Sequence, residues 1–191
     1  MSSQYWVAPA VFLIDTLFSL YVFAVMLRFL FQWVDADFYN PVSQFLIKIT
    51  HPPLRLLRRF IPSLGRIDTA SLVLMLGLQM LAGYLTFLLQ GAGTTVPALL
   101  VWSIAQLLDQ LFNLYFFAII IRSVLSWLGT RTYNAATTLL YSLTEPTLRA
   151  ARRLLPPMGG IDLSPLIPLI GIQLAKMLIM PPLHHAMMAL S

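Results

Sequence analysis

The chain contains no cysteine, which excludes disulfides, thiolate metal sites, iron–sulfur clusters and thiol nucleophiles. Charge is almost as scarce. Asp, Glu, Lys and Arg make up 10% of the 191 residues against 59% hydrophobic, too little polar surface to cover a soluble fold of this size. Acids are the scarcer sign, seven against twelve bases. The net positive charge therefore reflects missing acids, and with no recognisable binding fold around the bases nucleic acid is not an expected partner. The histidines His51, His184 and His185 match no metal-ligand spacing. No Ser-His-Asp, paired-carboxylate or glycine-loop constellation is present, so no catalytic residue, cofactor or metal is assigned and an enzyme is the weakest reading. Met1 to Trp6 carries no basic leader and is expected to be an uncleaved start.

What is present is four long apolar stretches. They run from about Pro9 to Trp33, Thr69 to Gln90, Pro97 to Trp127 and Leu163 to Leu183. Each reaches the roughly 20 residues that cross about 30 Å of hydrocarbon. The second has no charge; the others hold only Asp15 and Arg28, Asp109 and Arg122, and Lys176. Backbone amides in lipid must be satisfied within the segment, so the expected fold is an all-α membrane protein with four spanning helices. In the fourth stretch Pro165, Pro168, Pro181 and Pro182 are expected to be kinks or ends.

Shifting the sequence by 94 residues aligns Asp15 with Asp109, Arg28 with Arg122 and Trp33 with Trp127 without a gap. The match continues through Asn40 and Asn134, Thr50 and Thr144, Pro52 and Pro146, Pro62 and Pro156, Gly65 and Gly159, Asp68 and Asp162, and Gln79 and Gln173. About 25 of the 65 positions from Asp15 to Gln79 are identical to their partners. The chain therefore reads as two tandem units, 1–94 and 95–191, each a spanning helix, a basic amphipathic loop and a second spanning helix. With two spans per unit, both copies sit the same way up, as a parallel repeat.

The first long loop carries Lys48, Arg55, Arg58, Arg59 and Arg66, and the second Arg131, Arg149, Arg152 and Arg153, whereas the Gly91–Val96 connector is uncharged. Short basic loops stay cytoplasmic, so both loops are expected inside and the termini and connector outside, in the periplasm. Val42, Phe45, Leu46 and Ile49, and in the second copy Ala136, Leu139, Leu140 and Leu143, recur at helical spacing. Each loop is expected to begin with an amphipathic helix that Pro52 or Pro146 ends, followed by a short segment setting Arg55, Arg58 and Arg59, or Arg149, Arg152 and Arg153, on one face. Such a helix suits the headgroup plane, each arginine on an anionic lipid phosphate contributing about 1 kcal/mol. The arginines either fix topology and anchor the loop, or meet a specific lipid, a protein partner or a second copy of the chain.

Asp15 and Asp109 lie about one turn inside the outer edge, and Lys176, at 1.5 Å per residue, about 10 Å below it. An ion pair of Lys176 with Asp109 or Asp15 would lower the cost of both charges; snorkelling, protonation or a proton or cation relay are the alternatives. Gln79 and Gln173 follow Gly77 and Gly171 by two residues near the midplane, which predicts a seam between spans two and four. Arg28 and Arg122, five residues before Trp33 and Trp127, suit interfacial anchoring.

Arg28-x4-Trp33, Asn40-Pro41, Thr50-x-Pro52-x-Leu54 and Arg58-Arg59-x2-Pro62-x2-Gly65-x2-Asp68, with their second copies, strongly resemble the YggT family of small integral membrane proteins. The second copy closes on Asp162-x-Ser164-Pro165, as that family does. Ala135 replaces the proline after Asn134, and Thr69-Ala70-Ser71 replaces the Ser-Pro ending of the first copy, so the two loops need not be equivalent. The resemblance implies a bacterial inner-membrane protein linked to osmotic or extracytoplasmic stress and to potassium handling, with relatives linked to assembly of membrane complexes or to cell division.

Two functions remain. One is a membrane interaction or assembly module working through the basic loops. The other is a component of potassium, proton or other ion transport using Asp15, Asp109 and Lys176, although Gly91-Ala92-Gly93-Thr94-Thr95 is no potassium filter. The topology makes a first prediction. A phosphatase that is active only outside the cytoplasm, fused after Ser191, is expected to be active; an inactive fusion of normal abundance reverses the orientation.

Overall fold

A segment with no water around it can satisfy its peptide groups only internally, and the apolar stretches accordingly form long helices. A computed structural model describes residues 3–128, 134–155 and 162–191. The described residues form α1 (Ser3–Trp33), α2 (Pro41–Leu57), α3 (Thr69–Leu89), α4 (Val96–Trp127), α5 (Ala135–Leu154) and α6 (Leu166–Leu190). Four of them, α1 from Trp6 onward, α3, α4 and α6, are long and apolar enough to cross a membrane. The 21 residues of α3 span about 31 Å, the thickness of the hydrocarbon. The 32 residues of α4 exceed it, so its ends emerge into the polar layers.

The last span differs from expectation. It begins at Leu166 and continues to Leu190 through Pro181 and Pro182. Pro165 caps the helix and Pro168 falls in its first turn, where an amide has no intrahelical partner to lose.

α1 packs on α3, α3 on α4, and α4 on α6. The expected seam between spans two and four is therefore corrected: α6 lies along α4, not along α3. Gln79 is buried, in a stripe with Met75, Ala82 and Thr86, but Gln173 is exposed. Gly77 and Gly171 have open space where a Cβ would project. The close approach is made instead by Gly83, where a Cβ would collide with the indole ring of Trp102 on α4. The short Gln90–Thr95 connector makes α3 and α4 antiparallel neighbours, and Gly83 lets them close. At the other end of the connector the Thr95 hydroxyl donates to the Leu190 carbonyl at 2.5 Å, placing the end of α6 beside it.

α2 and α5 lie together at the opposite end, the loop side. Asn40 caps α2 by accepting from Val42 N at 2.9 Å, and its Nδ2 donates to the Ala135 carbonyl at the start of α5 at 2.8 Å. Asn134 caps its own helix, through a reciprocal pair with Thr137.

Neither Pro52 nor Pro146 ends its helix, contrary to the sequence expectation. α2 continues to Leu57 and α5 to Leu154. A proline leaves the carbonyl four residues earlier without its amide partner. For Pro53 that carbonyl is Ile49 O, and the Tyr21 hydroxyl of α1 donates to it at 3.1 Å. Tertiary packing thus supplies what the helix loses. The buried stripe of α2 is Ser43, Leu46, Thr50 and Leu54, offset from the expected Val42, Phe45, Leu46 and Ile49; Phe45 is 60% exposed. In α5 the buried stripe is Leu139, Leu143, Thr144, Leu148 and Ala151.

Gly83→Ala is expected to lower the melting temperature in detergent by forcing the α3–α4 contact apart, at a cost of about 1–3 kcal/mol. Gly77→Ala, with open space around it, is expected to hold or raise that temperature.

Candidate functional site

At the loop-side end of each first span an arginine is buried. Arg28 and Arg122 are 8% and 5% exposed. Each is held by the threonine of the Thr-x-Pro motif: Arg28 Nη1 donates to Thr50 Oγ1 at 2.8 Å and Arg122 Nη1 to Thr144 Oγ1 at 2.9 Å. Each threonine hydroxyl in turn donates to the carbonyl four residues back, Leu46 at 2.6 Å and Leu140 at 2.7 Å. That back-bond turns the hydroxyl oxygen toward the arginine. The arginines expected to anchor at the interface thus work inward, tying α1 to α2 and α4 to α5.

Around this shared element the copies differ. Arg122 also donates to Glu145 Oε2 at 2.5 Å and to the Tyr141 carbonyl at 3.2 Å, and the Tyr141 ring lies 4.5 Å from its guanidinium carbon. Glu145 further faces Arg149 and Arg152, each at 3.6 Å. In the first copy the positions of Glu145 and Tyr141 are His51 and Ile47.

The motif aspartates close the loops back onto the helices. Arg58 Nη2 meets Asp68 Oδ2 at 2.5 Å, and Ser71 donates to the same oxygen at 2.6 Å. Arg152 Nε meets Asp162 Oδ2 at 3.1 Å, and Ser164 N donates to Asp162 Oδ1 at 3.0 Å. Gly65 sits at φ +61° in a two-residue turn closed by Leu64 and Ile67, where the left-handed region favours glycine. The Pro62 carbonyl accepts from Thr69 Oγ1 at 2.6 Å. Burial raises the carboxyl pKa of Asp68, Glu145 and Asp162. The hydrogen bonds to Asp68 (Arg58, Ser71), Glu145 (Arg122) and Asp162 (Ser164, Arg152), with the neighbouring arginine charges, outweigh burial and hold all three below the usual carboxylate value.

Not every motif residue enters these clusters. Arg55, Arg59, Arg149 and Arg153 are exposed. Trp33 and Trp127 are 49% and 57% exposed; Trp33 packs near Phe29, and Trp127 Nε1 donates to the Asp162 carbonyl at 3.4 Å. Pro156, Gly159 and Arg131 lie outside the described residues.

Within the spans Lys176 Nζ meets Asp109 Oδ1 at 2.7 Å and donates to Asn113 Oδ1 at 2.8 Å, while Asn113 Nδ2 donates to Asp109 Oδ2 at 2.8 Å. Asp15 instead accepts from Thr86 Oγ1 at 3.0 Å. The residue of the first copy equivalent to Lys176 is Ala82, which leaves Asp15 to a hydroxyl. The sequence reading missed Glu145, Tyr141, Asn113 and Thr86. Asn113 carried a signal, standing four residues after Asp109 on one helix, and so did Glu145, four before Arg149. Thr86 carried none.

These features define a multi-pass α-helical membrane protein of two tandem units, each locked at one end by a buried arginine. The family model described as CCB3/YggT matches residues 7–89 and again 101–183, and the chain belongs to that family. It is 43% identical over 172 residues to an uncharacterized protein of Pseudomonas aeruginosa, covering 89% of this chain and 87% of that one. It is 38% identical over 156 residues to the uncharacterized protein YggT of Escherichia coli K12, covering 82% and 81%. No solved structure matches.

A carboxylate whose pKa is lower in the folded than in the unfolded chain stabilises the fold above its unfolded pKa, and that contribution is lost as pH falls through the folded value. The melting temperature is therefore expected to be level near neutrality and to fall once pH drops below about 4, the ordinary carboxylate range. Glu145→Ala, which leaves Arg122 buried without its carboxylate, is expected to cost about 3 kcal/mol at neutral pH and to flatten part of the acid limb.

Proposed function

We propose that the protein is a non-enzymatic component of the bacterial inner membrane that acts as an interaction or assembly module through its basic loop helices on the cytoplasmic face, in the osmotic or extracytoplasmic stress response to which its family resemblance points. The observation that carries this reading is the division of labour among the loop arginines. Arg28 and Arg122 are buried and bonded to threonines, and Arg58 and Arg152, partly exposed, pair with the motif aspartates, whereas Arg55, Arg59, Arg149 and Arg153 stand exposed on the same side without such a partner. A rigid frame that keeps Arg55, Arg59 and Arg153 without an ion pair among the described residues, beside an exposed Arg149 that only edges Glu145, is suited to anionic headgroups, to an acidic protein surface or to a second copy.

Orientation follows from the same charges. Lys48 and the arginines collect at the loop side while the connector has none, and the basic side of a bacterial membrane protein remains in the cytoplasm. α2 and α5 lie as amphipathic helices at that interface, with Phe45, Leu56 and Phe60 exposed beside the bases.

Ion transport through Asp15, Asp109 and Lys176 is the competing reading and has less support. Lys176 and Asp109 neutralise one another, and Asp15 is bonded to a different partner. A strain lacking the gene and sensitive to hyperosmotic medium separates the two. Asp15→Asn with Asp109→Asn is expected to restore growth fully, whereas Arg55→Ala with Arg59→Ala, at normal membrane abundance, is expected to restore none. The reverse pattern would favour the transport reading.

A further inference from the structure

A guanidinium carries five N–H donors, and a buried one is stable only when they and its charge are met. Arg122 meets them with the Thr144 hydroxyl, the Tyr141 carbonyl and ring, and the Glu145 carboxylate. Arg28, equally buried, has among the described residues one side-chain bond, to Thr50. Ile47 stands where Tyr141 would stack, and His51, which is exposed, stands where Glu145 would pair. Beside Arg28 a void of about 10 Å³ is lined by Ser43, whose buried hydroxyl has no partner among the described residues. That is room for a single water, which brings no negative charge into bonding contact with the guanidinium. Asp68, the acid of this region, acts on Arg28 through its charge, but its hydrogen bonds go to Arg58 and Ser71.

We infer that the first copy binds a phosphate group from outside the chain, taking the place that the Glu145 carboxylate fills in the second, with Arg28, Arg55 and Arg58 as its cationic partners. Positions 51 and 55 of α2 and its C-cap 58 follow the i, i+4, i+7 spacing of one face, as 145, 149 and 152 do on α5, where Arg149 and Arg152, with Arg122 of α4, meet one carboxylate. Arg58 already acts on Arg28 through its charge, and a phosphate offers three oxygens that guanidinium groups bind in pairs, the geometry arginine matches best. Its source is either a lipid headgroup at the same interface or phosphate in solution. The inference rests on reading the loop side as the interacting face, yet it concerns one copy alone: it makes the duplicated units functionally unequal, one sealed by its own carboxylate and one open to a ligand.

The test uses the full chain in a phosphate-free maltoside detergent at fixed ionic strength. One arm adds inorganic phosphate, with chloride as control; the other adds phosphatidylglycerol to the micelles. The melting temperature is expected to rise by about 5 °C at a hundredfold excess over Kd in at least one arm, and the arm that responds identifies the source. His51→Glu, which restores the internal carboxylate, is expected to melt no lower than wild type without ligand and to lose the shift. Arg55→Ala, an exposed substitution, is expected to reduce it. Ser63→Glu adds the same charge at an exposed position of the same loop and is expected to keep it. No shift in either arm, an undiminished shift in His51→Glu, or an equal loss in Ser63→Glu overturns the inference. None of these outcomes bears on whether Arg55→Ala with Arg59→Ala fails to complement, so the proposal and the broader reading can fail separately.

Discussion

A charged group at the edge of a membrane costs little when it faces water and much when it is enclosed. In this protein Arg28 and Arg122 are enclosed. Each reaches from the end of a spanning helix to the hydroxyl of a threonine whose own proton is committed to a helix carbonyl. The bond fixes the loop helix against the span, and much else depends on that. With α2 and α5 held in place, Tyr21 can reach the carbonyl released by Pro53, Asp68 and Asp162 can reach back to Arg58 and Arg152, and Asn40 can bridge to the start of α5.

The duplication has kept this frame and changed how its charges are neutralised. On the terminal side the equivalent carboxylates Asp15 and Asp109 are met by a threonine hydroxyl in one copy and by a lysine and an asparagine in the other. On the loop side the arginine is bonded by glutamate in the second copy and, among the described residues, by no carboxylate in the first. Both differences point the same way. A charge inherited by both copies must be answered in each, and the answer depends on whichever neighbour each helix packing supplies, so single replacements such as Lys176 for Ala82 or His51 for Glu145 make the halves chemically unlike while their backbones correspond.

The same logic explains where sequence reasoning misjudged the loops. A proline two thirds of the way along an amphipathic pattern reads as a terminus, because the carbonyl it orphans would otherwise face a poor environment. Tyr21, nearly thirty residues away, removes that objection, and helix periodicity gives no hint of it. The seam expected from Gln79 and Gln173 failed for a related reason. Equivalent positions in two copies share a depth but not a neighbour: α3 lies between α1 and α4, whereas α6 packs along α4 and turns Gln173 outward.

The sequence by itself determined that this is a membrane protein of four apolar helices in two tandem units, and it marked Arg28, Arg122 and the motif aspartates, since apolar length, charge scarcity and self-similarity are properties of a linear string. Only the tertiary structure decided which charges face each other. Lys176 pairs with Asp109 and not Asp15, Gly83 and not Gly77 makes the close approach, and Arg122 is bonded to a carboxylate where Arg28, among the described residues, is bonded to none. Those outcomes depend on distances of a few ångströms between residues far apart in the chain, and electrostatic and packing energies vary steeply over that range.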